Sequence, residues 1–224
     1  MKNIKKILII IQRSNGDVFL SRSLIEQLQK NLKPKSMDLL VNDDTLSTAK
    51  LIPHIGQIYT FSYLKKKNTQ WTQEKDLIKK IFRKYDLSIN LTASDRSVLY
   101  TILASKNAIS AVEKNSKKSW WKKLLLKGTY NFDFSKHILL NNLEPLRCMG
   151  IALSKIQVEP TISKTANNSI KSKLEDLTVD KFLIFHPSAQ YRYKIYPKTL
   201  RNDLLRLLNQ LKLPIIITGS KNLI

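Results

Sequence analysis

The sequence is poor in the residues that define several common classes of protein. Its single cysteine, Cys148, excludes an intrachain disulfide, and such sparing use of cysteine fits a reducing compartment. Only five glycines occur among 224 residues, which argues against long glycine-rich loops. The apolar fraction of 42% is nevertheless high enough for a packed core, so the chain is not of the disordered class.

Several functional signatures are also missing. No run of about 18 apolar residues occurs, so the sequence predicts no membrane span. The apolar run at residues 7–11 is too short for a signal peptide, and no small-residue cleavage site follows it. The chain has no Gly-x-x-x-x-Gly-Lys loop, which argues against a P-loop ATPase. No group of His, Cys and carboxylates has metal-ligand spacing, so we expect no metal site.

Acidic residues are scarce relative to basic ones. Thirty-nine lysines and arginines face 17 aspartates and glutamates, which gives a formal net charge of +22. This imbalance indicates an anionic partner, namely nucleic acid, an anionic membrane surface or a phosphorylated substrate. A lysine-rich but merely solvated surface is the alternative, and charge alone does not choose among them.

The chain is organised around its first strand and the residues that follow it. Residues 7–11 are five consecutive aliphatics, which is typical of a strand buried on both faces of a parallel sheet. Residues 12–17 are polar, and the next apolar positions recur every four residues, which indicates a helix. In open α/β sheets ligands bind at such a junction. It holds a guanidinium, a carboxylate and two small polar side chains, those of Arg13, Asp17, Ser14 and Asn15.

The same alternation of strands and helices continues and predicts an α/β fold with a parallel sheet. We expect a domain over residues 1–153, a linker over 154–179 and the start of a second α/β domain over 180–224. Two parallel strands and one helix do not cover both faces of a sheet, so the second domain is expected to be incomplete.

Residues 114–127 form a distinct basic segment, with six lysines around Trp120-Trp121 and three leucines. Adjacent tryptophans within a lysine cluster fit a segment lying on an anionic membrane surface. The alternative is an ordinary amphipathic helix whose tryptophans pack inward and whose lysines extend to solvent. A nucleic-acid groove is less favoured, because the aromatics are adjacent rather than interleaved with the charges.

Four stretches then form a recognisable series. The first is residues 7–20, a strand followed by the loop Arg13-Ser14-Asn15-Gly16-Asp17 and a helix, and the second is residues 86–97. The third is a predicted helix over 137–150, with His137 as a cap and Gly150 at its end. The fourth is His186-Pro187-Ser188-Ala189 with Lys194-Ile195-Tyr196-Pro197. In this order they resemble the bacterial heptosyltransferases of lipopolysaccharide core synthesis (glycosyltransferase family 9).

The resemblance implies the GT-B architecture, in which two Rossmann-like domains face a cleft. The N-terminal domain would bind an anionic, lipid-linked saccharide acceptor, and the C-terminal domain a nucleotide sugar, expected to be ADP-heptose. It implies inverting transfer of heptose to the lipopolysaccharide core, without a metal or another cofactor. The expected location is cytoplasmic, at the inner face of the cytoplasmic membrane.

The resemblance also assigns roles to residues. Asp17 matches the family's general base, while Arg13, Ser14, Asn15 and Gly16 would form the acceptor side. Ser188, Ala189 and Lys194 would bind the nucleotide sugar. Asp17 as a helix N-cap and Lys194 as a solvated surface lysine are the alternatives.

Two departures from the family pattern limit these expectations. Tyr196 replaces the tryptophan of Lys-x-Trp-Pro, and Ser188-Ala189 stands where a glycine is expected. The family's later Asp-Thr-Gly-x-x-His stretch is missing, which predicts weak donor binding. An acceptor-binding module without transferase activity is therefore an alternative function, and a basic nucleic-acid-binding protein is a less favoured one.

Overall fold

The computed structural model describes residues 4–65, 67–114, 116–154, 162–175, 181–189 and 192–219. The chain divides into two compact units, Met1–Thr161 and Ile162–Ile224. The domain boundaries expected from the sequence, including the linker over 154–179, stay a prediction.

A six-stranded, wholly parallel sheet forms the centre of the first unit. Its spatial order is 3-2-1-4-5-6, the doubly wound arrangement. The α/β fold class with a parallel sheet is confirmed. The strands are β1 (Lys6–Ile11), β2 (Ser36–Asn42), β3 (Ile55–Phe61), β4 (Leu87–Asn90), β5 (Ala108–Val112) and β6 (Gly128–Asn131).

Helices cover both faces of this sheet. They are α1 (Asn15–Leu20), α2 (Arg22–Leu32), α3 (Leu46–Ala49), α4 (Lys67–Ile81), α5 (Asp95–Ala104), α6 (Ser116–Leu125) and α7 (Ile138–Cys148). No helix within the described ranges combines the length and the apolar character needed to span a membrane.

Strand β1 explains why the sheet has helices on both sides. Its aliphatic residues 7–11 are all fully buried. Ile7, Ile9 and Ile11 pack in one core with residues of α1, α2 and α7, whereas Leu8 and Ile10 pack in a second core with residues of α4 and α5. Because successive side chains of a strand point to opposite faces, a run without alternation requires a cover on each face.

The ends of α7 confirm the capping predicted from the sequence. His137 is the N-cap, and its Nδ1 accepts a hydrogen bond from the Leu139 N–H at 3.3 Å. At the other end Gly150 has a φ of +69°, a conformation that favours glycine. The N–H groups of Gly150 and Ile151 donate to the carbonyls of Arg147 and Leu146, which is a Schellman motif.

The second unit contains a two-stranded parallel sheet. Its elements are α8 (Lys164–Lys173), β7 (Leu183–Phe185), α9 (Lys198–Asn209) and β8 (Ile215–Ile217). None of this unit's described residues is buried, and Ile184 and Ile217 are more than half exposed. Helix α8 lies within the segment predicted to be a linker, where the sequence suggested at most a short helical turn.

A buried hydrogen bond in the first unit ties β2 to the residues that lead into β4. The Tyr85 hydroxyl donates to Asp38 Oδ2 at 2.6 Å, and Asp38 Oδ1 accepts from the Gln57 N–H at 3.0 Å. Burial, reinforced by the Asp38 carboxylate, raises the pKa of Tyr85 far above its usual value. The folded state therefore holds this proton more tightly than the unfolded state.

This difference predicts a loss of stability in alkali. Unfolded tyrosine ionises near pH 10, so the contribution of Tyr85 is complete below about pH 10 and falls as the pH rises. Between about pH 9 and pH 11 the free energy of unfolding should fall by about 1 kcal/mol less in Tyr85→Phe than in the parent chain. Urea denaturation at both pH values measures this difference. An unchanged slope in Tyr85→Phe would contradict the assignment.

Candidate active site at the carboxyl edge of the sheet

The strand order reverses between β1 and β4, which pair in parallel. The chain crosses from β1 to β2 on one side of this point, and from β4 to β5 on the other. In sheets of this kind the loops that follow these two strands diverge, and ligands bind in the crevice between them at the carboxyl ends of the strands. A hydrogen bond from the Gln12 N–H to Thr92 Oγ1, 3.0 Å long, joins the two loops at the base of this crevice.

Asp17 and Arg13 form an ion pair beside this crevice. Arg13 Nε lies 2.8 Å from Asp17 Oδ2, and both side chains keep part of their surface exposed. The Arg13 guanidinium also stacks over the Phe132 ring, 4.6 Å from its centroid. Because Phe132 itself is buried, the guanidinium is held from below and the carboxylate is held at a fixed position.

Asp17 is not the N-cap of the first helix, and that alternative is wrong. Ser14 is the N-cap, with extended backbone angles, and α1 begins at Asn15. The polar loop is thus shorter than residues 12–17, because Asn15, Gly16 and Asp17 already form the first turn. A carboxylate in the first turn is favoured by the helix dipole.

The acceptor-side residues expected from the sequence lie together in this turn. Ser14, Asn15 and Gly16 are all exposed. Asn15 Oδ1 accepts a hydrogen bond of 2.6 Å from Thr48 Oγ1, which ties α1 to α3. A Cβ built on Gly16 would meet no atom within 4 Å. Nothing in the described protein therefore requires glycine there.

A buried polar network holds the loop after β4. Asn90 is fully buried, and its side-chain amide contacts Ser97 Oγ at 3.1 Å and Ser110 Oγ at 2.8 Å. Its Oδ1 accepts from the Thr92 N–H at 3.0 Å. Its main-chain carbonyl accepts from the Tyr130 hydroxyl at 3.0 Å. One side chain thus joins β4, α5 and β5 at the strand-order reversal.

The second unit carries the residues expected to bind the nucleotide sugar. Ser188 and Ala189 follow β7, and Lys194 ends a short 3-10 turn that precedes α9. His186 links the two strand ends, because its Nδ1 lies 2.9 Å from Thr218 Oγ1 and its Nε2 lies 3.3 Å from Ser188 Oγ. Hydroxyl groups from both strands of this unit are therefore gathered at one edge.

The close approach of the Ser188 hydroxyl to the backbone of Gly219 explains why glycine occupies that position. A Cβ on Gly219 would lie 3.3 Å from Ser188 Oγ, which is tighter than ordinary packing. The sequence favours Pro197 as the first helical residue, whereas in the structure it is the N-cap of α9, which begins one position later at Lys198.

The sequence is similar to those of two known proteins. No protein-family model matches the sequence. The chain is 24% identical over 220 residues to lipopolysaccharide heptosyltransferase 3 of Escherichia coli K12, and the alignment covers 92% of this chain and 60% of that protein. A second Escherichia coli lipopolysaccharide heptosyltransferase 3 is 21% identical over 217 residues, with 93% and 62% covered.

Solved structures agree in fold. A glycosyl transferase of family 9 from Veillonella parvula superposes with a TM-score of 0.77 at 14% identity, covering 97% of this chain and 63% of that one. The Escherichia coli heptosyltransferase WaaC with ADP-2-deoxy-2-fluoro heptose gives 0.72 at 15% identity, with 97% and 70% covered. The Escherichia coli ADP-heptose heptosyltransferase II gives 0.70 at 17% identity, with 97% and 65% covered.

The chain is related to the bacterial heptosyltransferases. The resemblance drawn from its motifs and the GT-B-like fold class are confirmed. The alignments span about 60% of the length of the curated heptosyltransferases. The individual site roles, from Asp17 to Lys194, stay predictions.

Two residues that contact the loop at residues 13–17 were not predicted from the sequence. Phe132 supports Arg13 from 119 positions away in sequence, and no local pattern connects them. Asn142 of α7 is fully buried and donates to the Asp17 carbonyl at 3.3 Å, so it anchors the turn that carries the carboxylate. A polar residue within an apolar helical pattern is the only signal that the sequence offers for it.

The Asn90 network generates a stability prediction. Asn90→Ala should lower the free energy of unfolding by about 2–4 kcal/mol, because it leaves several buried polar groups without their partner. Asn107→Ala is the matched control. Asn107 also donates one side-chain hydrogen bond, to the Asp86 carbonyl at 3.0 Å, but in an exposed setting, and should cost about 1 kcal/mol or less. Equal costs in urea denaturation would contradict the importance given to Asn90.

Proposed function

We propose that this chain acts as a heptosyltransferase-type glycosyltransferase. It would transfer heptose from ADP-heptose to a lipopolysaccharide core acceptor, with inversion at the anomeric carbon. The observation that carries the proposal is the Asp17 carboxylate, fixed by Arg13 and partly exposed beside the strand-order reversal. The heptosyltransferase relatives support the reaction type, and WaaC is itself known with an ADP-sugar analogue.

The proposed chemistry needs one base on the acceptor side. Attack of a sugar hydroxyl on an anomeric carbon requires a group within hydrogen-bond reach that accepts the hydroxyl proton. Asp17 would take this proton while the new glycosidic bond forms and the bond to the diphosphate breaks. The ion pair with Arg13 holds the carboxylate at a fixed position, and the guanidinium also offers donors to an anionic acceptor.

No general acid is needed on the donor side, because a nucleoside diphosphate leaves as a stable anion. It is instead stabilised by positive charge and by hydrogen-bond donors. Lys194 and the Ser188 hydroxyl are the side chains that we assign to this role, with Ala189 in the same turn. The N-terminus of the twelve-residue helix α9 adds unpaired backbone N–H groups for the phosphates.

The acceptor is proposed to be anionic and lipid-linked. The net charge of +22 favours a phosphorylated or otherwise acidic saccharide. Such an acceptor, made and held at a membrane, would place the enzyme at the inner face of the cytoplasmic membrane.

The role of Asp17 predicts a selective loss of activity. Asp17→Asn should lower kcat for transfer by about 10²–10⁴-fold, because the amide does not accept the proton. Its free energy of unfolding should change by less than about 1 kcal/mol, since a partly exposed ion pair contributes little. Product formation from ADP-heptose and a water-soluble core saccharide measures the activity.

The neighbouring helix supplies a matched control for this substitution. Arg22 Nε and Glu26 Oε1, in α2, form an ion pair of 2.7 Å with the same spacing of four residues and similar exposure. Glu26→Gln removes the same kind of interaction away from the crevice and should retain parental activity. Full transfer by Asp17→Asn, or equal losses in both variants, would overturn the assignment of the base.

The substitution Gly16→Ala should stabilise the fold but weaken binding of the acceptor. Alanine meets no protein atom there and is the better helix former, so Gly16→Ala should stabilise the fold by about 0.4–1 kcal/mol. If the acceptor approaches this backbone, the added methyl group should raise KM for the acceptor by about tenfold with little change in KM for ADP-heptose. Unchanged acceptor kinetics in the stabilised variant would place the acceptor elsewhere.

A further inference from the structure

The structure contradicts the inward-packing interpretation of the basic segment 114–127 for one of its two tryptophans, and the membrane interpretation stays a prediction. Its helix, α6, divides two of its repeated pairs, Trp120-Trp121 and Lys122-Lys123, between two faces. Trp121 is half-buried and packs against the core formed by Val98, Ala108, Val112 and Leu126, whereas Trp120 is 66% exposed. Neither inward packing of both tryptophans nor exposure of both is what the structure shows.

The lysine pair is divided in the same way. Lys122 is only 2% exposed, and its Nζ lies 2.6 Å from Asp95 Oδ1 at the start of α5. Its neighbour Lys123 is exposed. A buried ammonium needs a partner, and Asp95 supplies it. The ion pair of Lys122 thus holds α6 against α5. The exposed residues on either side of Lys122 form the outer face of α6.

The outer face of α6 is apolar and basic. Trp120 and Leu124, one helical turn apart, are 66% and 76% exposed, and Leu125 beside them is 53% exposed. Lys123 lies on the same face, and Lys127 is exposed just beyond the end of the helix. Residues 114–127 contain six lysines and no acidic residue.

We propose that this outer face is a docking surface for an anionic phospholipid membrane. In this arrangement Trp120 and Leu124 insert at the level of the lipid headgroups, and the flanking lysines contact the anionic phosphates. Exposed tryptophan and leucine within a wholly basic segment are the chemistry of helices that lie in the membrane interface.

A membrane surface accounts for this face better than a protein partner does. A protein interface has a centre depleted in lysine, whereas here lysines lie next to the exposed tryptophan. A lipid headgroup layer offers both apolar depth and a continuous sheet of negative charge. The excess of 39 basic over 17 acidic residues in the chain acts in the same direction.

Vesicle co-sedimentation tests the proposal with the full chain. Vesicles of phosphatidylcholine mixed equally with phosphatidylglycerol should bind the protein, and pure phosphatidylcholine vesicles should bind it far more weakly. The double variant Trp120→Ser/Leu124→Ser should bind the anionic vesicles at least about tenfold more weakly, because two apolar side chains no longer insert. Both residues are exposed, so the variant should fold normally, as circular dichroism would verify.

Trp71 provides a matched control. It is 69% exposed on α4, where Glu74 and Asp76 are close in sequence, so its surroundings are not purely basic. Trp71→Ser should bind vesicles as the parent does. Brominated phosphatidylglycerol should quench the emission of Trp71→Phe, which retains Trp120 and Trp121, more than that of Trp120→Phe, which retains Trp71 and the half-buried Trp121.

Three results would overturn the proposal: undiminished binding by the Trp120/Leu124 variant, an equal loss in Trp71→Ser, or binding to oligonucleotides with none to anionic vesicles. The inference deepens the proposed location at the membrane by naming the surface that binds it. Its test does not rest on the proposed transfer reaction, because the vesicles contain neither acceptor saccharide nor nucleotide sugar. Loss of vesicle binding with full transfer to a soluble acceptor, or the reverse, separates the two.

Discussion

The complete burial of residues 7–11 in β1 is the constraint on which the rest of the first unit depends. Five aliphatic side chains with no exposed surface require helices on both faces of the sheet. A strand covered in this way lies at the centre, and here it lies where the strand order reverses. The first polar residues after it are therefore delivered to the crevice in which such sheets bind ligands.

Two ion pairs fix functional parts of the first unit. Two carboxylates at the carboxyl edge have a cationic partner: the partly exposed Asp17 pairs with Arg13, and the exposed Asp95 pairs with the buried Lys122. The first pair holds the proposed base. The second fixes α6 so that its tryptophan and leucine side chains face outward. In a chain with a large excess of lysine, these few acidic residues determine which cations are held inside and which remain on the surface.

The sequence predicted the parts of the fold that rest on local patterns. The run 7–11 predicted β1, and the cap residues His137 and Gly150 predicted the ends of α7. Strand β6 was not predicted, because its four residues are short and include Gly128 and Asn131, which do not favour strands. The first helix was predicted to start late, since Asn15-Gly16 is a typical turn dipeptide and here begins a helix.

The site was predictable only in part. The run Arg13-Ser14-Asn15-Gly16-Asp17 brings together the residues that line one side of the crevice, at the start of α1. Phe132 beneath Arg13, Asn142 at the Asp17 carbonyl and Asn90 between the strands are tertiary partners, and sequence spacing contains no signal for such contacts. The division of α6 into a buried lysine and an exposed tryptophan likewise depends on Asp95, a residue on another helix.

The central claim is that the carboxyl edge at β1 is where the acceptor binds. An amide NMR titration of the full chain with a soluble, anionic core saccharide tests it most directly. If the acceptor binds there, the amide chemical shifts of Ser14, Asn15 and Gly16 should change saturably, with smaller changes after β4. Saturable binding that shifts amides elsewhere and leaves these three unchanged would contradict it.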